Sequence, residues 1–150
     1  MSPKNITATE IHDDFDVRFT HRLTFDRGVL DPDNPTIDRI IADRTAGEPR
    51  PGMIVVIDAG LAAATPGIHE VIRSRFDRDP LPEVREILEV PGGEASKNDP
   101  AVIDHMLEAI ERHRIDRRSY VAVFGGGAVI DAVGFASSTA HRGVRLIRFP

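Results

Sequence analysis

The residues with the clearest chemical use stand in short strings beside apolar runs. Gly125-Gly126-Gly127 follows Tyr120-Val121-Ala122-Val123-Phe124 and opens a segment of small apolar residues. Glycines lack a Cβ, so the backbone can approach a phosphate closely, and a helix that starts there offers free N–H groups and a positive dipole end. The string fits phosphate or pyrophosphate binding; a strand-to-helix turn that binds nothing is the plainer alternative. It is not a G-x-G-x-x-G fingerprint, because Ile130 stands where the third glycine belongs, and no Gly-Lys-Ser/Thr follows as in a P-loop. Asp131 comes four residues after Gly127. It reads either as a first-turn acid that complements the helix dipole or as an acceptor for amide or hydroxyl groups of a cofactor.

A second string, Gly92-Gly93-Glu94-Ala95-Ser96-Lys97, also follows an apolar run. A glycine pair, a carboxylate and an ammonium three residues on can grip a ribose diol, since Glu accepts from hydroxyls and Lys donates. The alternative is a surface turn with a local ion pair worth under about 1 kcal/mol. Asp58 ends the run Met53-Ile54-Val55-Val56-Ile57 and is placed for a ligand, although Asp also caps turns. Only Lys4 and Lys97 among the 19 basic residues are lysine. Where arginine is otherwise used throughout, Lys97 reads either as a point charge that a planar guanidinium cannot imitate or as a lysine retained by chance.

These strings need elements to hold them. Phe15, Val17, Phe19, Leu23 and Phe25 predict a long half-buried strand. A turn at 31–35 leads to a helix capped by Asn34 or Thr36, with Ile37, Ile40 and Ile41 on one face. Met53–Ile57 and Tyr120–Phe124 are continuous apolar runs, the mark of parallel strands covered on both faces. Helices are expected from Pro66 to Phe76, from an Asn98 or Asp99 cap through Ile110, and from Gly127 to Ala140, with further strands at Val84–Val90 and Val144–Phe149. The alternation predicts one α/β domain over residues 13–150, an open, mostly parallel sheet with helices on both faces, behind a disordered tail at 1–12. Ligands of such sheets lie beyond the carboxyl ends of the strands.

Composition narrows the function. The chain has 150 residues, 41% of them hydrophobic, enough for an ordinary core. A net charge of −5 argues against a broad nucleic-acid surface. The lack of cysteine removes disulfides, thiolate catalysis and iron–sulfur clusters. No apolar run is long enough to span a membrane, and the polar, acidic N-terminus predicts a cytoplasmic protein. The six histidines form no HExxH; His105 and His113 read as a solvated helix face, and the charged stretches 73–79 and 111–118 as solvated helix ends. No catalytic residue and no metal ligand set is expected on this chain.

The chain resembles the N-terminal half of the dehydroquinate synthase family of sugar phosphate cyclases. The resemblance rests on GGEASK at 92–97, YVAVFGGGAVIDAVGFASSTAHRG at 120–143 and VRLIRFP at 144–150, whose order and spacing follow the family pattern. LDPDNPT at 30–36 resembles the EboD-type branch. The resemblance implies a Rossmann-like NAD-binding domain of a two-domain homodimeric enzyme, whose helical domain holds zinc or cobalt. That enzyme is a lyase that cyclises a keto sugar phosphate by transient oxidation, phosphate elimination, reduction and aldol closure. Glu94 and Lys97, beside Gly93, would hold the adenosine ribose; Gly126 and Gly127 would approach the pyrophosphate. Asp131 would face the nicotinamide carboxamide, Asp58 the adenosine end, and Arg142 a substrate phosphate, often in the neighbouring subunit. The family's Thr-Thr pair and its Glu, His, His metal ligands have no counterpart here, so a fragment that is inactive alone is expected. Ile130 departs from a family glycine. An iron-dependent alcohol dehydrogenase-like domain and a non-catalytic nucleotide-binding module are the other readings.

Overall fold

The computed structural model describes residues 12–14, 16, 21–45, 50–97 and 99–150, without the side chains of 42–45, 95 and 142. A four-stranded sheet forms the middle layer, in the order β2-β1-β3-β4. The strands are β1 Gly52–Asp58, β2 Glu83–Val90, β3 Tyr120–Phe124 and β4 Arg145–Phe149. Every neighbouring pair is parallel, with Val55 opposite both Ile87 and Ala122, and Phe124 opposite Phe149. The helices are α1 Thr36–Thr45, α2 Ala59–Ala64, α3 Ile68–Phe76, α4 Pro100–Arg112 and α5 Gly127–Thr139. The expected open parallel sheet is therefore present.

The two apolar runs form the central strands because their alternate residues enter two different cores. Ile54, Val56, Val121 and Val123 face α4 and α5; Met53, Val55, Ile57, Tyr120 and Ala122 face α1 and α3. Full burial of each Val, Ile or Met side chain among them is worth about 1.5–3 kcal/mol. In α4, Val102, Met106, Ala109 and Ile110 lie on one face at helical spacing and are buried. Asp99 starts that helix by accepting from Ala101 N at 2.9 Å, with Pro100 in its first turn.

Several expectations need correction. Of the strand expected at Phe15–Phe25, residues 15 and 17–20 lie outside the described residues, as do 1–11 of the tail; residues 21–25 have no regular structure, and Phe25 is 91% exposed. The helix expected from Pro66 begins at Ile68, and a separate α2 precedes it. The stretch 73–79 is not simply solvated. Arg75 is buried, its Nη2 bonding Asn34 O at 2.8 Å and Asp38 Oδ2 at 2.7 Å. Nor is His113 a free surface group: its Nε2 lies 2.7 Å from Glu86 Oε2, which Arg112 Nη2 also reaches at 2.7 Å. The 30–36 string has a structural use. Asn34 Oδ1 accepts from Thr36 N at 2.9 Å, and Asp26 takes bonds from Thr36 Oγ1 and Asn34 Nδ2, which together fasten the start of α1.

Beneath the carboxyl edge of the sheet lies an aromatic cluster. Phe124 and Phe149 stack with centroids 4.2 Å apart, and Phe76 from α3 meets both edge-on.

Candidate functional site at the carboxyl edge of the sheet

Parallel pairing brings the ends of β1, β2 and β3 to one edge. The chain leaves β1 toward β2 on one side, while β3 lies on the other. A crevice opens where successive connections diverge in this way, and it is the usual ligand position of open α/β sheets. Asp58 and Gly125-Gly126-Gly127 flank it, and Gly92-Gly93-Glu94 adjoins it.

Asp58 is first a structural residue. Its Oδ1 accepts from Gly60 N at 2.7 Å and Leu61 N at 3.4 Å, capping α2. It is also the surface on which both neighbouring loops close. A Cβ on Gly92 would fall 2.5 Å from Asp58 Oδ2, and one on Gly125 would fall 3.0 Å from Asp58 Cβ. The sequence reading favoured a ligand role; the observed contacts are a cap and a wedge between loops.

Gly126 and Gly127 are different. A Cβ on either would meet nothing within 4 Å, and both are exposed. Gly126 caps α5 at φ −71° and ψ 171°, with no side-chain bond to the free N–H groups. The start of α5 therefore offers uncapped donors and a positive dipole end to open space over the crevice, which is what an anion requires.

Gly93 has φ +80°, a left-handed turn that leads into the 3₁₀ segment Glu94–Lys97. Buried Ser96 holds this loop, its Oγ donating to Gly93 O at 2.7 Å and its N at 3.1 Å. Sequence reasoning passed over Ser96, although a serine three residues past a turn glycine commonly bonds back to the backbone. Lys97 Nζ then reaches 3.2 Å from Asp131 Oδ2 and 3.8 Å from Glu94 Oε1. Asp131 does not stand in the first turn of α5, which holds no acidic residue. Its carboxylate serves Lys97 rather than the helix dipole, and it joins the loop after β2 to the helix after β3.

The hydrogen bond to Asp131, and then the charge of Glu94, hold the Lys97 ammonium above its ordinary value of 10.5. A raised pKa means that the contribution of this contact to stability is present at neutral pH and below, and is lost as pH rises through the shifted value. Because Lys4 is the only other lysine, a ¹³Cε titration reads Lys97 directly. Lys97 is expected to titrate above Lys4, and Asp131→Asn to bring the two closer. Coincident curves in the parent protein would disprove the contact.

Arg142 is not gathered with these groups. α5 runs back across the sheet for 13 residues, about 20 Å, so the 3₁₀ turn Ala140–Arg142 lies toward the amino edge. The Arg142 side chain lies outside the described residues. Along the carboxyl edge, α2, α3 and the end of β2 border a cleft of about 300 Å³ that includes Ala59, Ala62 and Ile68, with His69 Nε2 3.0 Å from Glu89 Oε1. Among the described residues no three His, Asp or Glu side chains converge as a metal site.

Comparison with known proteins bears on this edge. Residues 87–150 match the family model "3-dehydroquinate synthase N-terminal". The matched span holds Gly93, Glu94, Lys97, Gly126, Gly127, Asp131 and Arg142, and leaves out Asp58. The chain is 39% identical to 3-dehydroquinate synthase of Helicobacter hepaticus over 84 residues, which is 56% of this chain and 23% of that protein. It is 34% identical to the Roseobacter denitrificans enzyme over 102 residues, which is 67% of this chain and 26% of that protein. The chain thus spans about a quarter of the length of these relatives. Among solved structures, 2-deoxy-scyllo-inosose synthase complexed with carbaglucose-6-phosphate, NAD+ and Co2+ superposes with a TM-score of 0.60 at 23% identity, over 82% of this chain and 29% of that one. The 2-epi-5-epi-valiolone synthase of Streptomyces hygroscopicus with NAD+ and Zn2+ bound gives a TM-score of 0.59 at 18% identity, over 91% of this chain and 35% of that one. At these identities the structural matches show a shared fold.

Proposed function

We propose, from the match of residues 87–150 to the 3-dehydroquinate synthase N-terminal family model, that this chain is the NAD-binding part of a sugar phosphate cyclase, a lyase that works with a divalent metal for which no ligand set converges among the described residues. The observation that carries the proposal is the uncapped start of α5, open above Gly126 and Gly127, at the divergence of β1 and β3.

Each group then has a task. The N–H groups at the start of α5 hold the pyrophosphate, with Gly126 and Gly127 leaving it room. Glu94 accepts from the adenosine ribose hydroxyls and Lys97 donates to them, while Gly93 sets the loop direction. The adenosine end runs past Asp58. Asp131 accepts from the nicotinamide carboxamide. Lys97 and Asp131 touch one another at 3.2 Å, so the two ends of the cofactor are reached only when this contact parts. Bound NAD would supply reversible removal of hydride from the substrate. Arg142 would serve a substrate phosphate in a second subunit of a homodimer. No step through a metal is assigned to residues of this chain.

The test is an NAD titration followed by residue-resolved NMR and calorimetry. Saturable shifts are expected at the amides of Gly93, Gly126 and Gly127. Lys97→Arg should weaken binding by about 1 kcal/mol, roughly fivefold, because the broader planar guanidinium fits poorly where a compact ammonium donates to a ribose. Absence of saturable shifts at these amides rejects the proposal. Unchanged affinity for Lys97→Arg would remove Lys97 from the site.

A further inference from the structure

At the opposite edge, where β1, β2 and β3 begin, lies a second cleft of about 300 Å³, and its walls are rich in arginine. Arg50, Arg85, Arg114 and Arg118 border it, with His113 and the buried Ser119. From this convergence we infer that the amino edge of the sheet binds a dianionic phosphoryl group, either free phosphate or a phosphomonoester, independently of the crevice at the carboxyl edge.

Local pairing leaves cationic charge over. Asp77 lies 3.3 Å from Arg50 Nη2, Glu83 lies 2.9 Å from Arg85 Nη2, and Glu86 is taken by Arg112 and His113 at 2.7 Å. Asp116 is saturated from within its own turn, accepting from Ser119 Oγ at 2.8 Å and from the N–H groups of Arg118 and Ser119 at 2.9 Å each. These bonds hold its carboxyl below the ordinary range against the opposing effect of burial. Among the described residues the guanidiniums of Arg114 and Arg118 have no hydrogen-bond or ion-pair partner; Arg118 adds only a through-space charge to Asp116.

The backbone makes room for this arrangement. A Cβ on Gly52 would fall 3.1 Å from Ile115 Cδ1, 3.3 Å from Arg85 Cγ and 3.4 Å from Arg85 Nε. The absent side chain lets the Arg85 stem lie over the start of β1. Arg50 is fixed from the other side by its Nε–H to Leu81 O and Nη2 to Pro82 O at 3.3 Å. Arg114 has a left-handed φ of +51°, uncommon for a side chain of its size. Two guanidiniums are thus fixed and two are unpaired around one small cleft. Like charges held together repel until an anion joins them, and planar N–H forks suit phosphoryl oxygens.

The experiment is residue-resolved NMR of the 150-residue chain titrated with inorganic phosphate, with glucose 6-phosphate, and with sodium chloride at matched ionic strength. Saturable shifts are expected at the amides of Gly52, Arg114, Arg118 and Ser119 with at least one phosphoryl ligand and none with chloride. Tighter binding of glucose 6-phosphate would assign a phosphomonoester, and equal or weaker binding the free ion. The double variant Arg114→Gln, Arg118→Gln alters exposed side chains only and should weaken the response by about tenfold or more. Gly126→Val should leave it unchanged, which separates this cleft from the proposed NAD site. Shifts that grow linearly in every salt, or saturable shifts that survive the double variant, overturn the inference.

Discussion

Gly126→Val is expected to fold and to lose NAD. The position has an ordinary φ of −71° and no atom within 4 Å of a Cβ, so there is room for a side chain to start there without a clash. Its one structural cost is a poorer helix cap, at most about 1 kcal/mol. The branched side chain would stand over the free N–H groups of α5 and keep a pyrophosphate from approaching. Charge-assisted bonds from such groups are worth about 1.5–3 kcal/mol each, so one lost bond corresponds to roughly ten- to a hundredfold in Kd. Calorimetry with NAD and a thermal melt on the same sample check both halves. A folded variant with parental affinity would move the pyrophosphate away from α5.

The preceding residue should behave in the opposite way. Gly125 is buried, and its Cβ would lie 3.0 Å from Asp58 Cβ and 3.4 Å from Val129 Cβ, atoms close to the backbone that cannot swing aside. Gly125→Ala is expected to destabilise the fold by about 1–3 kcal/mol, the usual cost of overpacking. Chemical denaturation should show a lower midpoint with an unchanged slope. Because Asp58 also caps α2, removing that carboxylate alongside Gly125→Ala should not restore stability: the crowding Cβ of residue 58 stays, and the cap bonds to Gly60 N and Leu61 N are lost. Full stability in Gly125→Ala would mean that the three loops are packed more loosely than the distances indicate. Two adjacent glycines thus separate what the fold needs from what a ligand needs.

What could be read from residues alone followed from how each signal arises. The runs at 53–57 and 120–124 declared parallel strands because burial on both faces leaves no polar alternation. The order β2-β1-β3-β4 was not legible, since strand neighbours depend on crossovers rather than on local pattern. The helix α2 was missed because Gly60-Leu61-Ala62-Ala63-Ala64 has almost no apolar period, though Asp58 ahead of it was an available cap signal. The expected strand drew on alternation around Leu23 and Phe25, and both are exposed outside any sheet. Arg75 was hidden inside a charged stretch; only the meeting of α3 with Asp38 and Asn34 O explains its burial. At the site, the glycine loops were found from sequence because their backbone task requires glycine. The Lys97–Asp131 contact was not, because it joins the loop after β2 to the helix after β3, segments far apart in the sequence.

The parallel order of the sheet also has a consequence during synthesis. β1 pairs with β3, yet the chain between them, residues 59–119, must be made first. A ribosome reaches β2 well before β3, so β1 and β2 can meet through the shorter crossover while the other margin of β1 waits. Closing the longer loop comes later and carries the larger entropic cost. During that interval Ile54 and Val56, which later face α4 and α5, lack their cover from α5 and β3. A nascent chain stalled before Tyr120 would therefore present a bare, highly apolar margin to any other unfinished strand, and at that stage a holdase chaperone would have most to bind.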